Sequence, residues 1–456
     1  MKSKSLSFMM SAALLATSCA NEEVVEFNPD PSGNAITFNP QVGRTRATET
    51  TISNLGNFSV LAKCVHPQGT LYNSWLIADQ TDPNNPIGEI AEKSSMSADN
   101  TSGIWTLDRN VYWPEGVADV MFWAYTDSSE DGKLSNGKIS FESNGPKISG
   151  FEPKTIDLNA SSDNTVLADG QSQKELLVAF AHHDDNNTGI NLTFDHALSQ
   201  IDITAESKNK PTSDNRIVKI KGAWIMNVST KGNLSAGYKW ENGKGSSTPS
   251  WGDLSGNGKY GTFHATQTEI SNSSKSVLGN GGNLMIIPQT KSKWDEKESG
   301  SGTYILLLCR VELKHSGENH EGEDIADVNV PGDGNHYHQQ FPVTDKFNSE
   351  EYGFSCVAVP VDWEMGKKYV YALDICGAAS GAGVYPPQLS DDVINSLIPS
   401  SMERKYIITT RPDGKNVGDP VLDEPIKFNV KVSNWETGNT WINGTESKAT
   451  ESTTTD

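Results

Sequence analysis

At 456 residues the chain is too long for one ordinary core, and two domains are expected. A net charge of −21 argues against nucleic acid as a partner, because phosphate binding needs the opposite sign. Only 35% of the chain is hydrophobic while Gly, Asn, Ser and Thr are abundant, which favours many short strands joined by turns.

The N-terminus has the order of a targeting segment. Lys2 and Lys4 precede an apolar run over residues 6–16, and Ala16-Thr17-Ser18-Cys19 closes it. The run is too short to span a bilayer as a helix, so residues 1–19 read as a signal peptide. Cysteine directly after small residues resembles a bacterial lipobox, in which Cys19 would carry lipid and become the new N-terminus. Asn21-Glu22-Glu23 follows at once, similar to the surface-export signal of Bacteroidetes lipoproteins. Simple secretion with an incidental cysteine is the alternative.

Residues 36–60 predict two short strands joined by an exposed basic link. Ile36 and Phe38 alternate with Thr37 and Asn39, the period of a strand with one buried face. A second strand opens at Leu55. Between them Gly43-Arg44-Thr45-Arg46-Ala47-Thr48 has no apolar period and two arginines, as a trypsin-like protease requires of an extended substrate. Cleavage is expected between Arg46 and Ala47, releasing residues 20–46 with their strand. An ordinary surface loop would have a similar composition.

Further strand-like runs follow at Trp75-Leu76-Ile77, Ile104-Trp105-Thr106-Leu107 and Val120-Met121-Phe122-Trp123-Ala124-Tyr125. Residues 174–180 suit either a helical turn or a strand. The loop over residues 182–189 suggests a boundary between a first domain, 47–188, and a second, 189–444. In the second, residues 190–205, 217–228 and 284–287 carry alternating stretches, and residues 304–313 form a longer apolar run suited to a central strand buried on both faces. Residues 356–360 and 369–375 read as a pair joined by a turn. Ile426, Phe428, Val430 and Val432 share one face of the last strong strand, which either closes the second domain or is donated to a neighbour. Residues 445–456 offer only Ala449 as an apolar side chain and read as a solvated tail. No stretch supports a long amphipathic helix.

Several segments, in order, resemble the fimbrillin (Mfa-like) family of Bacteroidetes lipoprotein pilins. They are the lipobox cysteine, Thr45-Arg46-Ala47-Thr48, Tyr112-Trp113-Pro114, Phe122-Trp123-Ala124-Tyr125, and residues 192–199. Ile286-Ile287-Pro288-Gln289, residues 363–371, and residues 426–432 closed by Ser433-Asn434-Trp435 complete the series. The resemblance implies an all-β chain of two tandem transthyretin-like β-sandwich domains with Greek-key-type connections. It also implies export as an outer-membrane lipoprotein, cleavage after Arg46, and assembly into a type V pilus. The strand bearing Ile36 and Phe38 would leave a groove that a neighbouring subunit fills by strand exchange. The polar tail suits a tip-like adhesin better than a stalk subunit, with a host or bacterial surface receptor as a further candidate partner.

Catalytic signatures are missing: there is no GxSxG, HExxH or P-loop, and neither an enzyme nor a cofactor is expected. His182-His183-Asp184-Asp185 lacks metal-ligand spacing, and the acidic loop over residues 127–132 has no downstream Glu at the calcium-loop position, so no metal is expected. His196 beside an apolar strand suits a structural role. Cys64, Cys309, Cys356 and Cys376 lie in or beside apolar runs without a CxxC pair, as buried small hydrophobes would; a disulfide pairing is not readable. A different class of function is a carbohydrate-binding surface lipoprotein that does not polymerise, with Trp240, Trp251 and Trp294 in polar surroundings as stacking platforms.

Overall fold

The computed structural model describes residues 35–42, 52–79, 87–127, 129, 131–159, 166–183, 189–279, 282–295, 301–317, 327–329 and 335–434. Among these, helix is confined to α1 (Asp169–Ser172), α2 (Asp391–Asn395) and one 3-10 turn, Arg404–Tyr406. The rest of the regular structure is β, as composition and patterning predict.

Seven strands close into a barrel. Their order is β1 (Phe38–Val42), β10 (Ile190–His196), β9 (Leu177–His182), β5 (Asp119–Thr126), β2 (Phe58–Val65), β3 (Glu89–Met96) and β4 (Gly103–Leu107), with β4 meeting β1 again. β10 shows strict alternation of buried and exposed residues, the pattern of a wall with one wet face. β2 and β5 are buried at every position. One face of each lines the barrel with Phe58, Val60, Phe122 and Ala124. On the other face Leu61 and Tyr125 pack against Ile148, Leu234 and Ile287.

That outer cover is a four-stranded sheet, β16 (Ser250–Ser255), β13 (Lys231–Ser235), β7 (Gly145–Phe151) and β6 (Lys138–Glu142). A hairpin of β14 (Tyr238–Glu241) and β15 (Lys244–Ser247) adds Tyr238 beside Trp123.

The second unit is a sandwich. One sheet runs β18 (Lys275–Ser276), β11 (Ser199–Glu206), β26 (Lys367–Asp374) and β28 (Lys427–Asn434), with β19 (Leu284–Ile286) also on β11. The other runs β22 (Asp327–Asn329), β23 (Asn335–Phe341), β21 (Tyr304–Ser316), β12 (Arg216–Val228), β17 (Gly258–Ile270) and β8 (Val166–Ala168). β24 (Tyr352–Ala358) joins β21, and β27 (Ile407–Ile408) joins β24. Ile201, Ile203, Tyr371 and Leu373 meet Ile220, Ile225, Ile305 and Leu307 between the sheets. On the far face of the larger sheet, Trp224, Leu306, Leu308 and Phe354 lie under Ile394 and Leu397, in and beside α2. β21 is thus apolar on both faces because both are covered, as its sequence predicts.

Three expectations are corrected. The boundary at 188 falls too early, since β10 pairs with β1 and β9 in the barrel. Nor does the first half stay apart: β7 pairs with β13 and β8 with β17. Residues 356–360 and 369–375 are not a hairpin. β24 and β26 lie in opposite sheets, and between them β25 (Val361–Asp362) pairs with β20 (Thr290–Lys291). Alternation specifies a strand's two faces but not its neighbour.

Candidate functional site

β1 is short, yet it holds the barrel shut. Its ladder with β10 is parallel over its full length, from Phe38 opposite Ile190 to Val42 opposite Phe194. On the other edge it meets β4 at a single pair, Phe38 opposite Trp105. Pro40 accounts for part of this asymmetry: it has no N–H to donate and is tolerated where only one edge is zipped. Just before the strand, Ile36 N–H donates to Val111 O at 2.7 Å, and Ile190 N–H donates to Thr37 O at 2.7 Å.

The inward side chains of this segment are those its alternation selects. Ile36 is 3% exposed and Phe38 0%; Pro40 is also buried, while Gln41 faces solvent. Phe38 lies edge-on to Phe58 and Phe122, each at 6.1 Å between centroids. Phe58 in turn meets Phe194 at 5.2 Å and Trp105 at 6.1 Å. Trp105 is fixed by its Nε1–H, which donates to Gly56 O at 2.9 Å. The segment therefore occupies an aromatic channel one strand wide.

Gly189 makes the close approach possible. Its φ is +116°, and a Cβ there would sit 2.7 Å from Thr37 Oγ1 and 2.9 Å from Asn39 Nδ2. Only glycine fits both the backbone angle and the contact.

β28 carries the other candidate strand. It pairs antiparallel with β26 throughout, from Lys427 opposite Asp374 to Asn434 opposite Lys367, and forms the edge of its sheet. Ile426 is buried, Phe428 and Val430 are half-buried against the sandwich core, and Val432 is 46% exposed. In this chain it closes the second unit, and its apolar face is covered progressively less toward the C-terminus. Cys19, Arg46, Ala47 and the tail 445–456 lie outside the described residues.

The groups weighed for chemistry are structural where described. His196 is buried and paired through Nδ1 with Glu175. His182 faces Asp119 at 3.3 Å, and the His183 ring lies edge-on to Trp113 at 4.3 Å. Asp127 accepts backbone N–H groups from Ser129 and Ser135, which folds the acidic loop on itself. The four described cysteines, Cys64, Cys309, Cys356 and Cys376, are free thiols and buried. Burial pushes Cys64, Cys309 and Cys376 up to about 12, well above the ordinary 9.0.

Two of the three tryptophans offered as sugar platforms lie in strands, and none of the three is exposed. Trp294 is buried beside Tyr304. Trp251, in β16, donates its indole N–H to Ala197 O at 2.6 Å and packs on Phe151. Trp240, in β14, is half-buried over Gly69. What sequence reading missed is a histidine cluster, His315, His336 and His338. Its one sequence signal is the i, i+2 spacing of His336 and His338, which puts both on the same face of a strand.

The first described strand of this all-β chain thus closes an aromatic channel by bridging β10 and β4. Residues 45–382 match the family model described as fimbrillin-like, and the chain belongs to that family. Among solved structures it is similar to a fimbrial protein from Bacteroides vulgatus ATCC 8482, at 15% identity and a TM-score of 0.43, covering 74% of this chain and 94% of that one. It is also similar to a candidate cell adhesion protein from Parabacteroides distasonis ATCC 8503, at 10% identity and a TM-score of 0.39, covering 90% and 99%. Among curated proteins, none is similar to this chain at a significant level.

Proposed function

We propose that the chain is a structural or adhesive subunit of a type V pilus, with β1 as a temporary plug. The precursor is exported with lipid on Cys19 and held at the outer membrane. Cleavage between Arg46 and Ala47 cuts the link after β1, and the released segment withdraws from between β10 and β4. A strand from a neighbouring subunit then enters the same channel. The observation that carries this reading is the burial of Ile36, Phe38 and Pro40 in that channel, on a strand zipped along only one edge.

Energetics point the same way. Uncovering two large apolar side chains forfeits about 1.5–3 kcal/mol each, and the bared strand edges lose their hydrogen bonds besides. Against a typical domain stability of about 5–15 kcal/mol, an empty channel is a severe liability and a sticky edge. A neighbour's strand removes both problems. Membership of the fimbrillin-like family supports a role at the cell surface, structural and not catalytic. The polar composition of residues 445–456 favours a tip-like position, because such a tail cannot fill an apolar channel. β28 closes the chain's own second sandwich and so favours acceptance of a strand over donation.

N-terminal sequencing of protein recovered from cell surfaces is the direct test, read together with ladders on unboiled gels. Chains beginning at Ala47 within detergent-resistant complexes are expected. Recovery only of lipidated chains beginning at Cys19, with no complexes, would refute the plug mechanism.

A further inference from the structure

The end of the larger sheet carries chemistry that strand exchange does not use. β21 is buried from Tyr304 through Glu312, then leaves the core, and its last residues form a ribbon with β23. The pairing sets His315 directly opposite His336 and Leu313 opposite His338, so all three imidazoles share one face. The other face carries Lys314 over the Tyr337 ring at 5.8 Å. Ring centroids lie 5.2 Å apart for His315 and His336, 4.6 Å for His315 and His338, and 5.0 Å for His336 and His338.

From this arrangement we propose that His315, His336 and His338 form a three-imidazole site for a divalent transition metal, with zinc as the ion. One ring nitrogen from each lies within 4.8 Å of the others. Tetrahedral zinc with Zn–N bonds of about 2.0–2.1 Å places its donors roughly 3.3 Å apart, so modest side-chain rotation closes the set. His336 is 1% exposed, and its Nδ1–H donates to Gly317 O at 3.1 Å. In the neutral ring that bond puts the lone pair on Nε2 and fixes the ring plane, the outer-shell arrangement metal-binding histidines use. Imidazole donors select zinc, copper or nickel over calcium or magnesium, which require oxygen ligands. Three protein ligands leave a fourth position, and the half-buried His315 and His338 allow water or a donor from another molecule to reach it.

The ribbon's composition gives the ion a structural task. Past Val311 the sandwich core no longer holds β21, and Asn335, His336, Tyr337, His338 and Gln339 give β23 little apolar surface to bury. A bound ion would clamp the two strands where packing stops. The other described histidines do not form such a set: His196 pairs with Glu175, His264 Nε2 with Val277 O, and His66 stacks on Tyr72.

The test is zinc titration of the full chain without a histidine tag, after chelator treatment, by calorimetry and thermal melting. Cobalt is added in parallel, and its visible absorption reads tetrahedral coordination. One saturable equivalent, a raised Tm and an intense cobalt band are expected. His315→Ala and His338→Ala should each lower zinc affinity by roughly 100-fold or more, since losing even an outer-shell partner costs about 10–100-fold. Both positions are half-buried, so the metal-free Tm serves as the control for folding even where His336→Ala fails to fold. No saturable zinc binding, or binding and cobalt spectrum unchanged in the His315→Ala/His338→Ala double variant, would overturn the site and leave the cluster as edge-to-face rings.

Discussion

Phe38 shows how much rests on one side chain. It is wholly enclosed by the Phe58 and Phe122 rings, and its removal leaves a cavity the barrel cannot easily collapse. Phe38→Ala in the uncut chain should lower stability by about 3–5 kcal/mol, read as a shift in urea midpoint. Gln41→Ala, three positions along on the wet face, should stay within about 0.5 kcal/mol. After proteolysis and loss of β1 the two variants should be indistinguishable from wild type. A Phe38 effect that persists in the cut protein would mean the segment never left. The thiols give a second residue-scale prediction. Cys64, Cys309 and Cys376 are raised from 9.0 to about 12 in the folded chain by burial. A raised acid contributes stability that is complete below the unfolded value and is lost as pH climbs from about 9 toward 12. Thiol reagents should therefore leave the native chain unlabelled at pH 8 and modify it only on unfolding, and the cysteine contribution to the urea midpoint should decline above pH 9.

Among the elements, β21 and its neighbour β12 run through the middle of the larger sheet and carry a buried charge network. Arg310 is fully buried, with its Nε on Glu312 and its Nη1 on Glu351 O at 3.0 Å. Glu312 also receives Lys219 at 2.8 Å. Glu312→Ala strands a guanidinium in the interior, and a loss of about 3–5 kcal/mol in chemical denaturation is expected. The apolar length of β21 announces it in sequence, and the alternation of Ile36 with Phe38 and of Leu192 with Phe194 announces β1 and β10. Those patterns record which face is buried. They carry no record of the partner, so the sheet that joins β7 to β13 was not readable. Its members are short, rich in Gly and Ser, and separated along the chain by whole strands of other sheets. The histidine cluster was hidden for the same reason: His315 meets His336 only through the register of two strands. Gly189 was visible as a glycine, but its task depends on β1 lying against it.

For the molecule as a whole, the plug reading predicts that a chain starting at Ala47 is less stable than its precursor and seeks a replacement. A synthetic peptide spanning residues 35–43 added in trans should raise its Tm, while the same peptide with Phe38→Asp should not. Failure of both peptides, with the shortened chain as stable as the precursor, would show that the barrel closes without β1. The sheet formed by β6, β7, β13 and β16 has a mechanical consequence. Were the barrel and the sandwich linked only by the backbone crossings from β8 to β9 and from β10 to β11, traction on one would reach the other through bare chain, like beads on a thread. Instead β7 and β13 are laced side by side across that junction. A pull on the barrel therefore meets the ladder between these two strands as well as the connecting backbone.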